Sequence, residues 1–266
     1  MVRNPSLKLA LVVLQGGMWA FGQFAVYAES FSAPTGATAT GDNAVAIGEA
    51  ASGGGDSSVA VGNDSNANQD SAIAIGNGTS VSARNASAFG TESRIWAGAT
   101  NSYAYGYNSL VYIAAENAIA SGTQAKAIAS NSMAMGMQAQ TGGANSIAIG
   151  FNAQTSGTSN NQQSVNSIAV GISSRANGSN SMAYGSMANA NGANAIAFGA
   201  NASSNGPNTS ASGTNARAIG FNAIADGTDA LAEGRNVIAI GVGAKALDTT
   251  PMSCRLVPTA MPRART

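Results

Sequence analysis

Twelve acidic side chains are the groups in this sequence best suited to hydrolytic or metal-assisted chemistry, because it contains no His and a single Cys, Cys254. Solenoid enzymes that cut polysaccharides bring two or more carboxylates, or a carboxylate-held metal, to one strand face. Asp42, Asp56, Asp64, Asp70, Asp226, Asp229 and Asp248 are instead scattered, as are the five Glu, and they form no cluster in the repeat register set out below. The expectation is a protein that is not an enzyme, with no catalytic residue, no cofactor and no metal. Its acids keep the surface soluble.

Binding chemistry has a better foothold. Trp96, Tyr103, Tyr105, Tyr107 and Tyr112 place five of the fifteen aromatic residues within 17 positions, and aromatic residues are enriched at binding hot spots. Tyr103 and Tyr105, like Tyr184 and Phe198, occupy repeat positions expected to fill the interior. Trp96, Tyr107 and Tyr112 remain as candidates for touching a ligand. Gly53-Gly54-Gly55-Asp56 is superficially similar to a calcium-binding nonapeptide, but such sites need an Asp at the same point of successive turns. This motif occurs once, so a Gly-rich turn is the expectation.

The elements that must carry these residues are unusual. Only 9% of the 266 residues are charged, and 33 Gly stand beside abundant Ala, Asn and Ser. An ordinary bulky core is excluded, and the interior must be thin. Twelve basic residues balance twelve acidic ones, which gives no electrostatic reason to expect nucleic acid or an acidic membrane as partner. Arg3 and Lys8 precede an apolar run from Leu9 to Leu14 that extends to Phe21. With Val26-Tyr27-Ala28 following, residues 1–28 read as a secretory signal cleaved after Ala28, then a linker at 29–35. No segment is suited to direct membrane insertion.

A hexapeptide, [Asn/Ser]-[Ser/Ala/Val]-x-Ala-x-Gly, recurs thirteen times and closes on glycines from Gly48 to Gly241. Their spacing is 14 residues, with two units of 16 (ending at Gly106 and Gly122) and three of 21 (ending at Gly171, Gly220 and Gly241). The 21-residue units are expected to add polar loops. A weaker half-repeat follows each Gly, with small residues three and five places on. Alternation at period two makes each half a short strand, while Gly and Asn between halves permit tight turns with positive φ. Helix is excluded, since the apolar pattern does not match period 3.6. Two short strands and two turns make one coil, and stacked coils make a parallel β-solenoid.

Within the hexapeptide, pairs such as Val45/Ile47, Ile147/Ile149 and Ile196/Phe198 are expected inside the coil. The residue between them is Ala in all thirteen units. Constant Ala on the opposite face predicts close packing against another copy of the chain, which makes Ala46, Ala60, Ala74, Ala134, Ala148, Ala169, Ala183, Ala197 and Ala239 candidate subunit-interface residues.

Asn145-Ser146-Ile147-Ala148-Ile149-Gly150, Asn166-Ser167-Ile168-Ala169-Val170-Gly171 and Ser71-Ala72-Ile73-Ala74-Ile75-Gly76 closely resemble the repeats of YadA-like heads in trimeric autotransporter adhesins. The resemblance covers about residues 36 to 247. It implies an all-β, left-handed parallel β-roll assembled as a homotrimer, exported to the cell surface and outer membrane of a Gram-negative bacterium, where it binds a host matrix protein or cell-surface receptor. Neck, stalk and anchor patterns are missing after Ala246. The tail from 248 to 266 is expected to be aberrant or disordered, the mark of a truncated or frame-shifted gene, leaving a product secreted or periplasmic. A purely structural surface rod or a non-functional fragment is the competing reading. An ice-binding solenoid would need Thr in a flat array, whereas Thr38, Thr40, Thr79 and Thr155 are scattered.

Overall fold

The computed structural model describes residues 31–33, 36–155, 165–247 and 254–256, so the expected signal at 1–28 lies outside the described residues. Described strands of two or three residues alternate between two parallel sheets, one of sixteen strands and one of fifteen. The chain visits them in turn. Sheet A holds the hexapeptide strands, for example Ile147–Ile149, and sheet B the half-repeat strands, for example Gln154–Thr155. Registers run coil on coil, with Ala134 beside Ala148 and Ala148 beside Ala169. At a strand spacing of about 4.8 Å, fifteen intervals in sheet A give a rod of roughly 70 Å.

The inside and outside of the coil are opposite to the expectation from sequence. Every candidate interface alanine, from Ala46 to Ala239, is buried at 0% exposure within a single chain. A second chain cannot reach them. The flanking residues point outward: Ile149, Ile196 and Phe198 are 38%, 43% and 51% exposed. Coil size explains the inversion. Two strands of two or three residues, joined by tight turns, face each other at a separation that admits Ala, Ser, Gly or Thr and at most an occasional Val. Large side chains must take the other face. The largest buried side chain, Ile95, and Val111 lie in the two coils enlarged by two residues, while Val81 and Val237 are fully buried in coils of ordinary length.

Two of the three 21-residue spacings are also not insertions. Arg217–Ile219, which precedes Gly220, belongs to sheet B and pairs with Ser203–Asn205 and Leu231–Glu233. Ser210–Ser212 and Ile224–Asp226 are the sheet A strands of this region. Between Gly199 and Gly241 the halves have become equivalent at a seven-residue period, and the hexapeptide recognised in the sequence jumps from one sheet to the other. Only the unit ending at Gly171 carries seven extra residues, since Ile147 pairs with Ile168. Most of that insertion lies outside the described residues.

Each extra length falls at the same corner, where the chain passes from sheet B to sheet A. The two-residue additions follow Ile95 and Val111, and the seven-residue one follows Thr155. The expected linker contributes a strand, Phe31–Ala33, to the sheet A stack. Cys254–Leu256, in the expected tail, pairs with Ile238–Ile240 and continues that stack after two extra residues. These two segments therefore extend the repeat, where the sequence pattern predicts a linker and an irregular tail.

Asparagine and glycine pin the corners. Asn101, Asn117, Asn131, Asn145, Asn166 and their successors to Asn236 hold φ near +55°. Each from Asn101 onward donates through Nδ2 to the Oδ1 of the next, giving nine bonds of 2.9–3.3 Å that all point the same way. Asn tolerates left-handed backbone better than other residues with a Cβ, so one residue type satisfies both the turn and the ladder. At the opposite corner Gly136 has φ +127°, and a Cβ there would meet the Gly150 carbonyl of the next coil.

Candidate functional site

The interior offers no reactive surface. Its polar members are Ser and Thr at 0–1% exposure, and most of their hydroxyls bond locally, Ser58, Ser93 and Thr155 being the exceptions. Ser65, Ser109 and Ser174 donate to the carbonyls of Gly62, Gly106 and Gly171, three residues back, at 2.9–3.2 Å. Thr209 donates to the Gly206 carbonyl at 2.7 Å and accepts from Ser204 at 2.6 Å. Any function therefore resides on the outer faces.

The outer face of sheet A carries two columns of large apolar side chains. Ile47, Tyr103, Tyr105, Met135, Ile149 and Met182 are each 38–49% exposed, and Tyr184, Ile196, Phe198, Ile224 and Ile240 continue the columns. The aromatic members stack along the rod: Phe89 on Tyr105 with centroids 4.7 Å apart, and Tyr184 on Phe198 at 5.2 Å. Tyr103, Tyr105, Tyr184 and Phe198 are thus surface residues, contrary to the interior role expected from their repeat positions. The apolar face is broken at Ser210 and Ser212, which follow Ile196 and Phe198 in register, but its extent before that break is the hallmark of an interaction surface.

Sheet B presents a different face. Its outward positions run Ser80, Arg94, Leu110, Lys126, Gln140 and Gln154 in paired register. Trp96 and Tyr112 lie beside this column in successive coils, with the Trp96 amide donating to the Val111 carbonyl and the Tyr112 amide to the Ala127 carbonyl. Trp96 is 48% exposed, and Tyr112 is half-buried. Tyr107, also exposed, sits at the other edge of sheet B, on the corner that enters it after Gly106. The structure therefore unites two of the three candidate aromatics and separates the third.

The acids are better organised than their scatter in sequence suggests. Asp42, Asp56 and Asp70 fall at the same point of three successive coils, which corrects the expectation that no cluster exists in register. Asp56 Oδ1 accepts from the Asp42 amide at 3.0 Å and Asp70 Oδ1 from the Asp56 amide at 3.3 Å. Asp70 also pairs with Arg84 of the next coil at 3.5 Å. These carboxylates serve the stack. The described residues hold no convergent group of three or more His, Cys, Asp or Glu, and Thr79 and Thr155 are buried rather than arrayed on a face. No described helix is long and apolar enough to cross a membrane.

A family model described as YadA head domain repeat (2 copies) matches residues 35–51, 54–79, 70–93, 114–139, 142–159, 163–188, 176–202, 190–216, 211–236 and 218–244, more than half of the chain. The matches stop at 93 and resume at 114, so they pass over the enlarged coils that carry Trp96 and Tyr112. No curated protein matches the chain. Repeat identity, spacing and the parallel stack of coils agree on one assignment, and the chain belongs to the family of YadA head domain repeats.

Proposed function

We propose that this chain forms the head of an exported surface adhesin, three copies associating through the outer faces of sheet A and attaching to host matrix or cells through sheet B and the corners. The observation that carries this reading is the asymmetry between the two outer faces: columns of Ile, Met, Phe and Tyr on sheet A, against Ser, Asn, Gln, Arg and Lys over much of sheet B. Burying one such side chain fully is worth about 1.5–3 kcal/mol. Each chain contributes more than ten half-exposed ones, enough to offset the entropy of association. Adhesion by many weak contacts follows from an outward face repeated along the rod and around the assembly.

Light scattering of the full chain tests the assembly, with a mass three times that of one chain expected. The double variant Ile149→Glu, Phe198→Glu should reduce it to one chain while parallel-strand circular dichroism persists. A wild-type protein that remains a monomer would overturn the reading. Binding of the wild-type trimer to immobilised matrix proteins, with loss in the monomeric variant, then tests the multivalent attachment.

A further inference from the structure

We propose that the outer face of sheet B, from Ser80 to Gln154, is a binding strip for a linear acidic polysaccharide lying along the rod axis, with its anionic group on alternate sugar units. This goes beyond the protein-binding reading and requires no subunit association. Two grooves, each of about 290 Å³, occupy this strip. Arg94, Trp96, Ser80 and Ser82 line the first, while Lys126, Gln140, Gln154, Gln124 and Gln138 line the second. Asn108, which lines the second groove, belongs with Leu110 and Tyr112 to the coil between Arg94 and Lys126, so the strip spans six consecutive coils, roughly 24 Å.

The chemistry selects the ligand class. Trp96 and Tyr112 are in adjacent register and half-exposed or nearly so, which provides two flat apolar platforms one coil apart. A pyranose presents a flat C–H face and advances its polymer by about one coil rise. Gln and Asn side chains offer both donors and acceptors, as ring hydroxyls require. The Gln138 to Gln124 bond at 3.1 Å uses only one N–H and one oxygen lone pair of that pair. Arg94 and Lys126 stand two coils apart, about 10 Å, which is the interval between charges carried on every second sugar. Neither has an ion pair among the described residues, and the one carboxylate on the strip is Glu92, at the corner beside Arg94.

A peptide is the less suitable occupant. The backbone groups of interior strands are already bonded to neighbouring coils, leaving no edge for strand addition. The extra residues that enlarge these two coils adjoin Trp96 and Tyr112, and the family repeat leaves 94–113 unmatched. Arg94, Trp96 and Tyr112 therefore lie outside the matched repeats, while Ser80, Lys126 and Gln154 lie within them.

Calorimetric titration of the full chain with hyaluronan oligosaccharides tests the proposal, with dextran as a neutral polymer and poly-glutamate as an acidic peptide. Hyaluronan should bind and dextran should not. Trp96→Ala with Tyr112→Ala, and separately Arg94→Gln with Lys126→Gln, should each weaken binding by about tenfold or more, whereas Arg217→Gln, far along the same sheet, should not. These residues are on the surface, so an unchanged circular dichroism spectrum will show that the variants are folded. No binding of hyaluronan, or equal binding of poly-glutamate that survives the aromatic double variant, would overturn it.

Discussion

Asn145 donates through Nδ2 to Asn166 Oδ1 at 3.1 Å, the same bond that joins Asn131 to Asn145, although 21 residues rather than 14 separate the first pair. The seven extra residues leave the ladder intact because they are accommodated before Asn166, on the way from sheet B to sheet A. Replacing Asn166 by Val removes two ladder bonds and forces a β-branched residue into left-handed backbone. The expected loss is about 2 kcal/mol or more, measured as a lowered thermal midpoint by circular dichroism. Asn166→Gly keeps the backbone and should lose less.

Interior alanines set the diameter of the rod. Ala148→Leu adds three carbons between Ala134 and Ala169, where exposure is 0%, and should destabilise by about 1–3 kcal/mol or more. Ala104→Leu, in a coil enlarged by two residues, should cost less. Urea denaturation of the two variants checks the order.

Not every buried hydroxyl is useful. Ser58 Oγ and Ser93 Oγ are buried without a hydrogen-bond partner, whereas Thr209 bonds both Gly206 and Ser204. Ser58→Ala and Ser93→Ala should be neutral or stabilising by about 1 kcal/mol, and Thr209→Ala should destabilise by about 1–2 kcal/mol because it also strands Ser204. Thermal midpoints of the three variants decide this.

Gly136→Ala combines left-handed strain with a direct clash against the Gly150 carbonyl. Backbone strain alone costs about 1–3 kcal/mol, and the neighbouring coil cannot move away without breaking its own ladder. Limited proteolysis should show cleavage near residue 136 in this variant and none there in the parent protein.

The stack of coils was legible in the sequence because period two, Gly closure and 14-residue spacing leave little else to build. Which alternate face lies inside was not. Alternation defines two faces without ranking them, and the ordinary preference for large apolar residues inside fails when the coil is too narrow to hold Ile147 and Ile149. The decisive clue was the second half-repeat, whose buried positions are small as well; two facing sheets with small residues at matching positions describe the interior. Spacing alone also concealed the exchange of sheets after Gly199, since 21 residues can be an insertion or one and a half coils. The aromatic platform was half visible: Trp96 and Tyr112 share a face because each follows its sheet B strand directly, and Tyr107 does not.

The seven-residue equivalence between Gly199 and Gly241 makes the half-coil, not the coil, the smallest unit by which this molecule can lengthen. Duplicating a 21-nucleotide segment there would advance the chain by half a turn, and every downstream strand would change sheets. Side chains of the apolar face would then stand on the polar side of the rod, and polar ones would interrupt the apolar columns. Only duplications in pairs preserve which side is which. In this part of the gene, replication slippage of one unit would therefore act as a switch of surface identity, and slippage of two as a simple change of reach.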